Sequence, residues 1–111
     1  MSVAPNVGDI VIVDFNPRAG HEQAGKRPAL VLSPRKFNQT TGFAWLCPVT
    51  NQKKGYPFEV KVTGSKKTSG VILTDQLKSI DWSARKIHKV DAVNAACVKE
   101  VKSLISIILS I

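Results

Sequence analysis

The feature that most constrains this chain is a series of short apolar segments, each ended by proline, glycine or polar residues. The first segment, residues 8–15, is rich in β-branched side chains and stops at Asn16-Pro17. Proline has no N–H for a strand ladder and restricts the residue before it. This pattern predicts strands rather than helices. The other predicted strands are residues 27–32, 43–49, 58–62, 70–73 and a short segment at 80–82, with a polar connection and a short helical turn at 35–42.

The C-terminal segment has a different periodicity, which predicts a helix over residues 91–108. We expect Asp91 to cap its first turn. Five or six strands and one terminal helix indicate a mainly β (α+β) fold, a small, partly closed β-barrel in one domain over residues 1–111. The apolar residues at helical spacing are Val93, Cys97, Val101, Leu104, Ile105 and Ile108.

The charge balance indicates which classes of partner the protein binds. The 111 residues include 16 Lys and Arg against 8 Asp and Glu, a formal net charge of +8. Such an excess favours nucleic acid, an anionic membrane surface or an acidic protein. No apolar run approaches the ~18–20 residues of a membrane span, and residues 1–7 lack signal-peptide features. We expect a cytoplasmic protein whose Cys47 and Cys97 are inert core thiols and whose His88 is a surface residue.

Three polar loops carry the residues whose side chains are suited to binding or catalysis. Residues 20–27 hold a histidine, a glutamate and two cations, residues 48–58 interleave lysines with aromatics, and residues 74–78 follow a strand directly. Basic residues beside aromatics suit a phosphate backbone with stacked bases. Each loop also has a structural interpretation: a solvated glycine-rich loop, a hairpin covering the barrel end, or a turn in which Asp75 bonds the backbone. Composition leaves both interpretations open.

The same segments resemble the MazF/PemK toxin family. The resemblance runs in order, at family spacing, through nearly the whole chain, and it is closer to MazF-type than to PemK-type members. The matching blocks are GDI (8–10), DFNP (14–17), GHEQAGKRPALVLSP (20–34), TNQKKGYPFEV (50–60) and GVILTDQLKSIDWSAR (70–85).

This resemblance implies the toxin of a type II toxin–antitoxin system with an SH3-like barrel, close to the CcdB gyrase-poisoning toxins. Family members are homodimers that cut single-stranded RNA, including mRNA, at short specific sequences. They need no metal or cofactor and leave a 2′,3′-cyclic phosphate and a 5′-hydroxyl. An acidic, partly disordered MazE-like antitoxin covers the RNA site, and the complex represses its own operon through the DNA-binding part of the antitoxin.

The resemblance also assigns site residues. Arg27 matches the catalytic arginine of the family and Thr50 its catalytic threonine, while His21 and Glu22 are supporting catalytic candidates in the flanking loop. Some PemK-type members have an arginine two residues before the aspartate of the third block, where this chain has a leucine, so we expect Asp75 to bind RNA or orient Arg27. The RNA-binding candidates are Lys26, Asn51, Gln52, Lys53, Lys54, Tyr56, Phe58, Asp75, Gln76 and Lys78.

The residue types fit that chemistry. Attack by the 2′-OH of RNA needs a base, an acid for the leaving 5′-oxygen and positive charge on the phosphoryl oxygens. General acid–base catalysis contributes ~10²–10⁴-fold and a fixed donor on the developing charge ~10²–10³-fold. Two rival functions remain at this stage: a CcdB-like toxin that binds gyrase without chemistry, and a basic barrel that only binds nucleic acid.

Overall fold

The computed structural model describes residues 3–16, 20–22 and 25–111. Pro17, Gln23 and Ala24 of the family blocks lie outside the described residues. The elements are β1 (Asp9–Asp14), β2 (Lys26–Val31), α1 (Arg35–Thr41), β3 (Phe43–Thr50), β4 (Glu59–Lys61), β5 (Val71–Leu73), a 3₁₀ turn (Thr74–Gln76), β6 (Lys78–Asp81), β7 (His88–Ala92) and α2 (Ala95–Leu109).

The strands form one antiparallel sheet in the order β4-β5-β3-β2-β1-β7, and β6 pairs with the first half of β3. The mainly β fold with a C-terminal helix is therefore confirmed. The word barrel describes it only loosely, because β4 and β7 end the ladder of described strands and do not pair with each other. The predicted strands differ from the observed ones by one or two residues at their ends.

The central strands are buried on both faces, which explains why their apolar runs do not alternate with polar residues. One face packs residues such as Val11, Val31 and Leu46 against Trp82. The other face includes Leu30 and is covered by α2. Fully burying one such aliphatic side chain contributes about 1.5–3 kcal/mol. Apolar packing on both faces of the sheet holds the strands in place, and the polar loops follow the ends of these strands.

The short helix α1 is attached to the sheet by a buried asparagine. Asn38 donates from Nδ2 to the carbonyls of Pro5 and Ser33 at 2.8 and 3.0 Å, and its own carbonyl accepts from the Trp82 indole at 2.8 Å. The helix ends at Gly42, which has a φ of +78°. The predicted helical turn in this connection is confirmed.

The start of the C-terminal helix was predicted wrongly. Asp91 belongs to β7, where its carboxylate accepts hydrogen bonds from the backbone N–H groups of residues 66–68. The side chain that caps α2 is Asn94, which accepts from Cys97 N at 2.8 Å. Strand β7 was missed because its residues are mostly exposed and polar and therefore lack an apolar pattern.

Candidate active site

A cleft of about 390 Å³ opens on the sheet face formed by β3, β5 and β4. Thr50 pairs with Val71, and Leu73 pairs with Glu59. Alternate residues of a strand share a face, so Thr50, Leu73 and Glu59 point to the same side. The cleft collects side chains from all three predicted polar loops. Its wall is formed by His21, Thr50, Gln52, Lys54, Tyr56, Glu59, Leu73, Asp75 and Gln76.

Thr50 is held firmly in this wall. It is the last residue of β3 and only 3% exposed, and its hydroxyl oxygen accepts from Gln52 N at 3.1 Å. Gly70 packs against its backbone: an added Cβ there would collide with the Thr50 carbonyl oxygen and lie 2.9 Å from Asn51 Oδ1. The hydroxyl of Thr50 therefore has a fixed position at the cleft.

Arg27 lies on β2, half-buried and opposite Val13 of β1, and it is not one of the residues that form the cleft wall. The β2–β3 register pairs Ala29 with Pro48. Arg27 precedes Ala29 by two residues and Thr50 follows Pro48 by two, so both lie just beyond this ladder. Paired residues share a face of a sheet, and so do alternate residues of one strand, so Arg27 and Thr50 face the same side of the sheet.

The β3–β4 loop, residues 51–58, covers part of the cleft. Glu59 accepts from Lys54 N at 3.1 Å and from Gly55 N at 2.9 Å. The ammonium of Lys54 lies 6.0 Å from the centre of the Tyr56 ring, which is 60% exposed. Glu59 is not among the site residues predicted from the sequence. The signal that indicates it is a single carboxylate at the end of a basic loop, at a half-buried position of β4.

The other candidates of this loop lie outside the wall formed by the described residues. Asn51 Oδ1 accepts from Ser69 Oγ at 3.4 Å, and the backbone N–H of Lys53 donates to the Asn51 carbonyl at 3.1 Å. Phe58 is half-buried, and its carbonyl accepts from both the hydroxyl and the N–H of Thr74, at 2.7 and 3.2 Å. Of the two aromatic residues proposed as a stacking surface, Tyr56 is the one that lines the cleft.

The 3₁₀ turn places Asp75 and Gln76 in the cleft wall above a buried thiol. The Cys47 sulfur lies 4.0 Å from the Thr74 carbonyl. Burial, and secondly the charge of Asp75, raise the pKa of Cys47 to about 12. The thiolate is the reactive form of cysteine, so a raised pKa disfavours the reactive form of Cys47. Cys97 is likewise buried, and the expectation that both cysteines are core thiols is confirmed.

In the first polar loop, residues 20–27, His21 lines the cleft, whereas Glu22 and Lys26 lie outside its wall. His21 is exposed and lines the cleft. Glu22 forms an ion pair with Lys78, with Nζ 3.5 Å from Oε2, and Lys78 also lies 5.7 Å from the centre of the Phe15 ring. Lys26 is exposed on β2 opposite Asp14.

The described part of the chain lacks a metal-binding cluster and a membrane-spanning helix. No three His, Cys, Asp or Glu side chains there are grouped so that they could hold a metal ion. None of the described helices has the length and apolar character needed to cross a membrane.

Comparison with known proteins identifies the family. Residues 6–109 match the family model described as the PemK-like, MazF-like toxin of type II toxin–antitoxin systems. The "Endoribonuclease toxin MazF" of Escherichia coli strain K12 is 46% identical over 105 residues, covering 95% of this chain and 94% of that protein. The "Endoribonuclease PemK" of Escherichia coli is 36% identical over 107 residues, covering 93% and 80%.

Solved structures agree with this assignment. The crystal structure of MazF from Deinococcus radiodurans superposes with a TM-score of 0.93 at 42% identity, covering 99% of this chain and 100% of that one. A MazE–MazF crystal structure from the same organism gives a TM-score of 0.86 at 36% identity and 99% coverage of both chains. The chain therefore belongs to the PemK-like, MazF-like toxin family of type II toxin–antitoxin systems.

Proposed function

We propose that this chain is the toxin of a type II toxin–antitoxin system and an endoribonuclease that cuts single-stranded RNA, including mRNA, at short specific sequences. The observation that carries the proposal is one cleft in which Thr50 is bordered by cationic, aromatic and amide side chains, with Arg27 facing the same side of the sheet. The 46% identity to a protein named as an endoribonuclease toxin supports it. Residues 1–111 act as one cytoplasmic domain, and cleavage of mRNA stops translation and growth.

In the proposed reaction the 2′-oxygen of the RNA attacks the adjacent phosphorus. The O2′–P bond forms, the P–O5′ bond breaks, and a 2′,3′-cyclic phosphate and a 5′-hydroxyl result. A base removes the 2′-OH proton, and an acid gives a proton to the departing 5′-oxygen. Arg27 donates two hydrogen bonds to the non-bridging oxygens, for which a guanidinium has the matching geometry. The Thr50 hydroxyl orients the same phosphate.

His21 is the better placed of the two loop candidates for proton transfer. Its side chain is exposed and borders the same cleft as Thr50. The carboxylate of Glu22 is paired with Lys78. We therefore assign His21 to proton transfer and Glu22, with Lys78, to the shape of the loop that contacts RNA.

RNA binding in this proposal uses the remaining cleft residues and the basic surface around them. Tyr56 offers an exposed ring for a base, and aromatic stacking of this kind contributes about 1–3 kcal/mol per base. Gln52, Asp75 and Gln76 present groups that bind base edges. Lys26, Lys53 and Lys54 attract the phosphates, so affinity falls steeply as salt rises.

The proposed regulation involves an acidic antitoxin. The same cations that bind phosphate attract an acidic MazE-like segment, which makes RNA and antitoxin mutually exclusive ligands. MazE–MazF crystal structures are among the structures that resemble this chain. The toxin acts as a homodimer and meets operator DNA only through the antitoxin. A ternary complex with unchanged RNA affinity would contradict the shared site.

The deciding experiment is incubation of the purified protein with a long single-stranded RNA in the presence of EDTA. We expect discrete fragments with cyclic phosphate and 5′-hydroxyl ends, because side chains alone supply the catalytic groups. A gyrase-binding toxin gives intact RNA, and a nucleic-acid-binding barrel retains RNA without cutting it. Cleavage that stops with EDTA and returns with Mg²⁺ would contradict the proposed mechanism.

A further inference from the structure

We infer that Glu59 is a positioning residue for RNA binding: its carboxylate holds the middle of the β3–β4 loop so that Lys54 and Tyr56 border the cleft. This role rests on the proposed function. It assigns no chemical step to Glu59, although the residue lies in the cleft wall.

The carboxylate is used by the loop backbone. One oxygen accepts from Lys54 N at 3.1 Å and the other from Gly55 N at 2.9 Å. The backbone N–H of Glu59 donates in turn to the Tyr56 carbonyl at 3.1 Å. Hydrogen bonds to an ionised acceptor are stronger than neutral ones. Glu59 therefore closes the loop around Lys54 and Tyr56, with its carboxylate bonded to residues 54 and 55 and its backbone N–H bonded to Tyr56.

Other residues hold the two ends of the loop. At its start, Gln52 is bonded to the hydroxyl of Thr50. At its end, Phe58 is bonded to Thr74. Residues 51–57 between these points are exposed, so apolar burial does not fix their conformation. The hydrogen bonds to Glu59 supply the missing constraint in the middle.

Charge argues against direct contact between Glu59 and the RNA backbone. A carboxylate next to a phosphate is repulsive, and this one sits in a cleft whose neighbours attract phosphate. Its two oxygens instead face backbone donors. A purely repulsive role predicts that removal of the charge tightens RNA binding, whereas a positioning role predicts that it weakens binding.

The test compares Glu59→Gln with Glu100→Gln. Glutamine keeps the size of Glu59 but offers only one carbonyl acceptor for two N–H donors. Glu100 is exposed on α2, so its variant removes the same charge without affecting the loop. Single-turnover cleavage of a labelled RNA should show a half-saturating concentration about tenfold higher for E59Q. Its maximal rate should stay unchanged, and E100Q should match the wild type.

Two further measurements separate positioning from general structure. In a Lys54→Ala/Tyr56→Ala background, E59Q should add almost nothing to the loss of affinity, because it acts through those side chains. In the absence of RNA, amide hydrogen exchange at Lys54 and Gly55 should accelerate in E59Q while the central strands stay protected.

The outcomes are distinguishable. A lower maximal rate with unchanged half-saturation, tighter RNA binding, or full additivity with the loop variants would each overturn the role of Glu59. E59Q behaving as wild type in a protein that cleaves RNA overturns this role alone. A wild-type protein that neither binds nor cleaves RNA overturns the proposed function and this role with it.

Discussion

Two loops of the molecule are organised by a carboxylate in the same way, yet they have different surroundings. Glu59 holds the β3–β4 loop through two backbone N–H groups. Asp91 holds the β4–β5 turn through the N–H groups of Lys66, Lys67 and Thr68, at 3.0, 2.8 and 2.9 Å. Both loops are held by a carboxylate that accepts hydrogen bonds from backbone N–H groups. Their different roles therefore depend on what each loop packs against.

The β4–β5 turn, residues 62–70, packs against the chain that leads into α2. Asn94 N donates to the Thr63 carbonyl at 3.1 Å, and a Cβ added at Gly64 would lie 2.6 Å from Asn94 N. The β3–β4 loop has exposed residues over most of its length and borders the cleft. We therefore expect substitutions in the β4–β5 turn to alter stability and substitutions in the β3–β4 loop to alter activity.

Cavity size does not distinguish the two regions. A hollow of about 410 Å³ beside the β4–β5 turn is slightly larger than the cleft and is lined by residues such as Lys66, Lys89 and Asp91. Thr50 lines the cleft and does not line this hollow. The chemistry of the lining side chains, rather than volume, identifies the candidate site.

The largest effect should come from Arg27→Ala. We expect the single-turnover cleavage rate to fall by ~10²-fold or more, because a fixed donor to the developing charge is lost. The melting temperature should stay close to that of the wild type, since Arg27 is only half-buried. Lys99→Ala removes one positive charge from an exposed position on α2 and controls for net charge. Near wild-type cleavage by the Arg27 variant would remove this residue from the mechanism.

Gly70→Ala should connect the two regions, because Gly70 ends the β4–β5 turn and touches Thr50. Its φ is +114°, and the new Cβ would collide with the Thr50 carbonyl oxygen. We expect a loss of unfolding free energy of about 1–3 kcal/mol from overpacking, besides the backbone strain, together with lower activity.

Gly55→Ala is the matched control for Gly70→Ala. Gly55 has a φ of +75° but nothing within 4 Å of an added Cβ. It should therefore show only the conformational cost, about 1–2 kcal/mol. Denaturant unfolding measures both variants. Equal losses would mean that the contact with Thr50 is unimportant.

Thr50→Val should have a smaller effect on cleavage. The variant keeps the shape but removes the hydroxyl, and we expect the single-turnover rate to fall about tenfold, equivalent to about 1.4 kcal/mol. Thr50→Ser restores the hydroxyl and should recover most of the rate. RNA affinity should change less than rate in both variants. An unchanged rate for Thr50→Val would exclude a role of the hydroxyl in the reaction.

The smallest effect should be a pH-dependent one at the β4–β5 turn. Backbone hydrogen bonds, above all those from Lys66 and Lys67, hold the pKa of Asp91 well below its usual range. A lowered carboxyl pKa stabilises the fold above the unfolded value of about 3.9 and loses that contribution as the pH falls further. Asp91→Asn should therefore melt below the wild type at pH 7, and the difference should shrink below about pH 4.

Cleavage measurements complete the Asp91 test. The Asp91→Asn variant should cleave RNA at the wild-type rate at pH 7, since Asp91 lies outside the cleft wall. A gap in melting temperature that stays constant down to pH 2 would show that the charge of Asp91 does not matter.

Much of the fold was predictable from the sequence because apolar runs and their proline or glycine ends are local signals. Strand β7 was not, since an exposed edge strand has no apolar pattern. The helix cap was assigned to Asp91 rather than Asn94 because both residue types cap helices. Only the tertiary contact with the β4–β5 turn distinguishes them.

The candidate site was predictable to a lesser extent. The resemblance selected Arg27 and Thr50, and both residues face the same side of the sheet. The role inferred for Glu59 was not visible in the sequence, because it depends on which backbone groups a folded loop turns towards its side chain. Likewise, the sequence does not show that Tyr56 borders the cleft while Phe58 is half-buried.

The buried thiols provide two internal reporters of local opening. Cys47 lies beneath the 3₁₀ turn, and Cys97 lies at the start of α2 with its sulfur 3.7 Å from the Lys61 carbonyl. Both are almost fully enclosed, so alkylation requires a fluctuation that exposes the sulfur to reagent. The labelling rate of each thiol therefore reports how often its own region opens. In a chain with two cysteines, mass spectrometry separates those rates without any engineered probe.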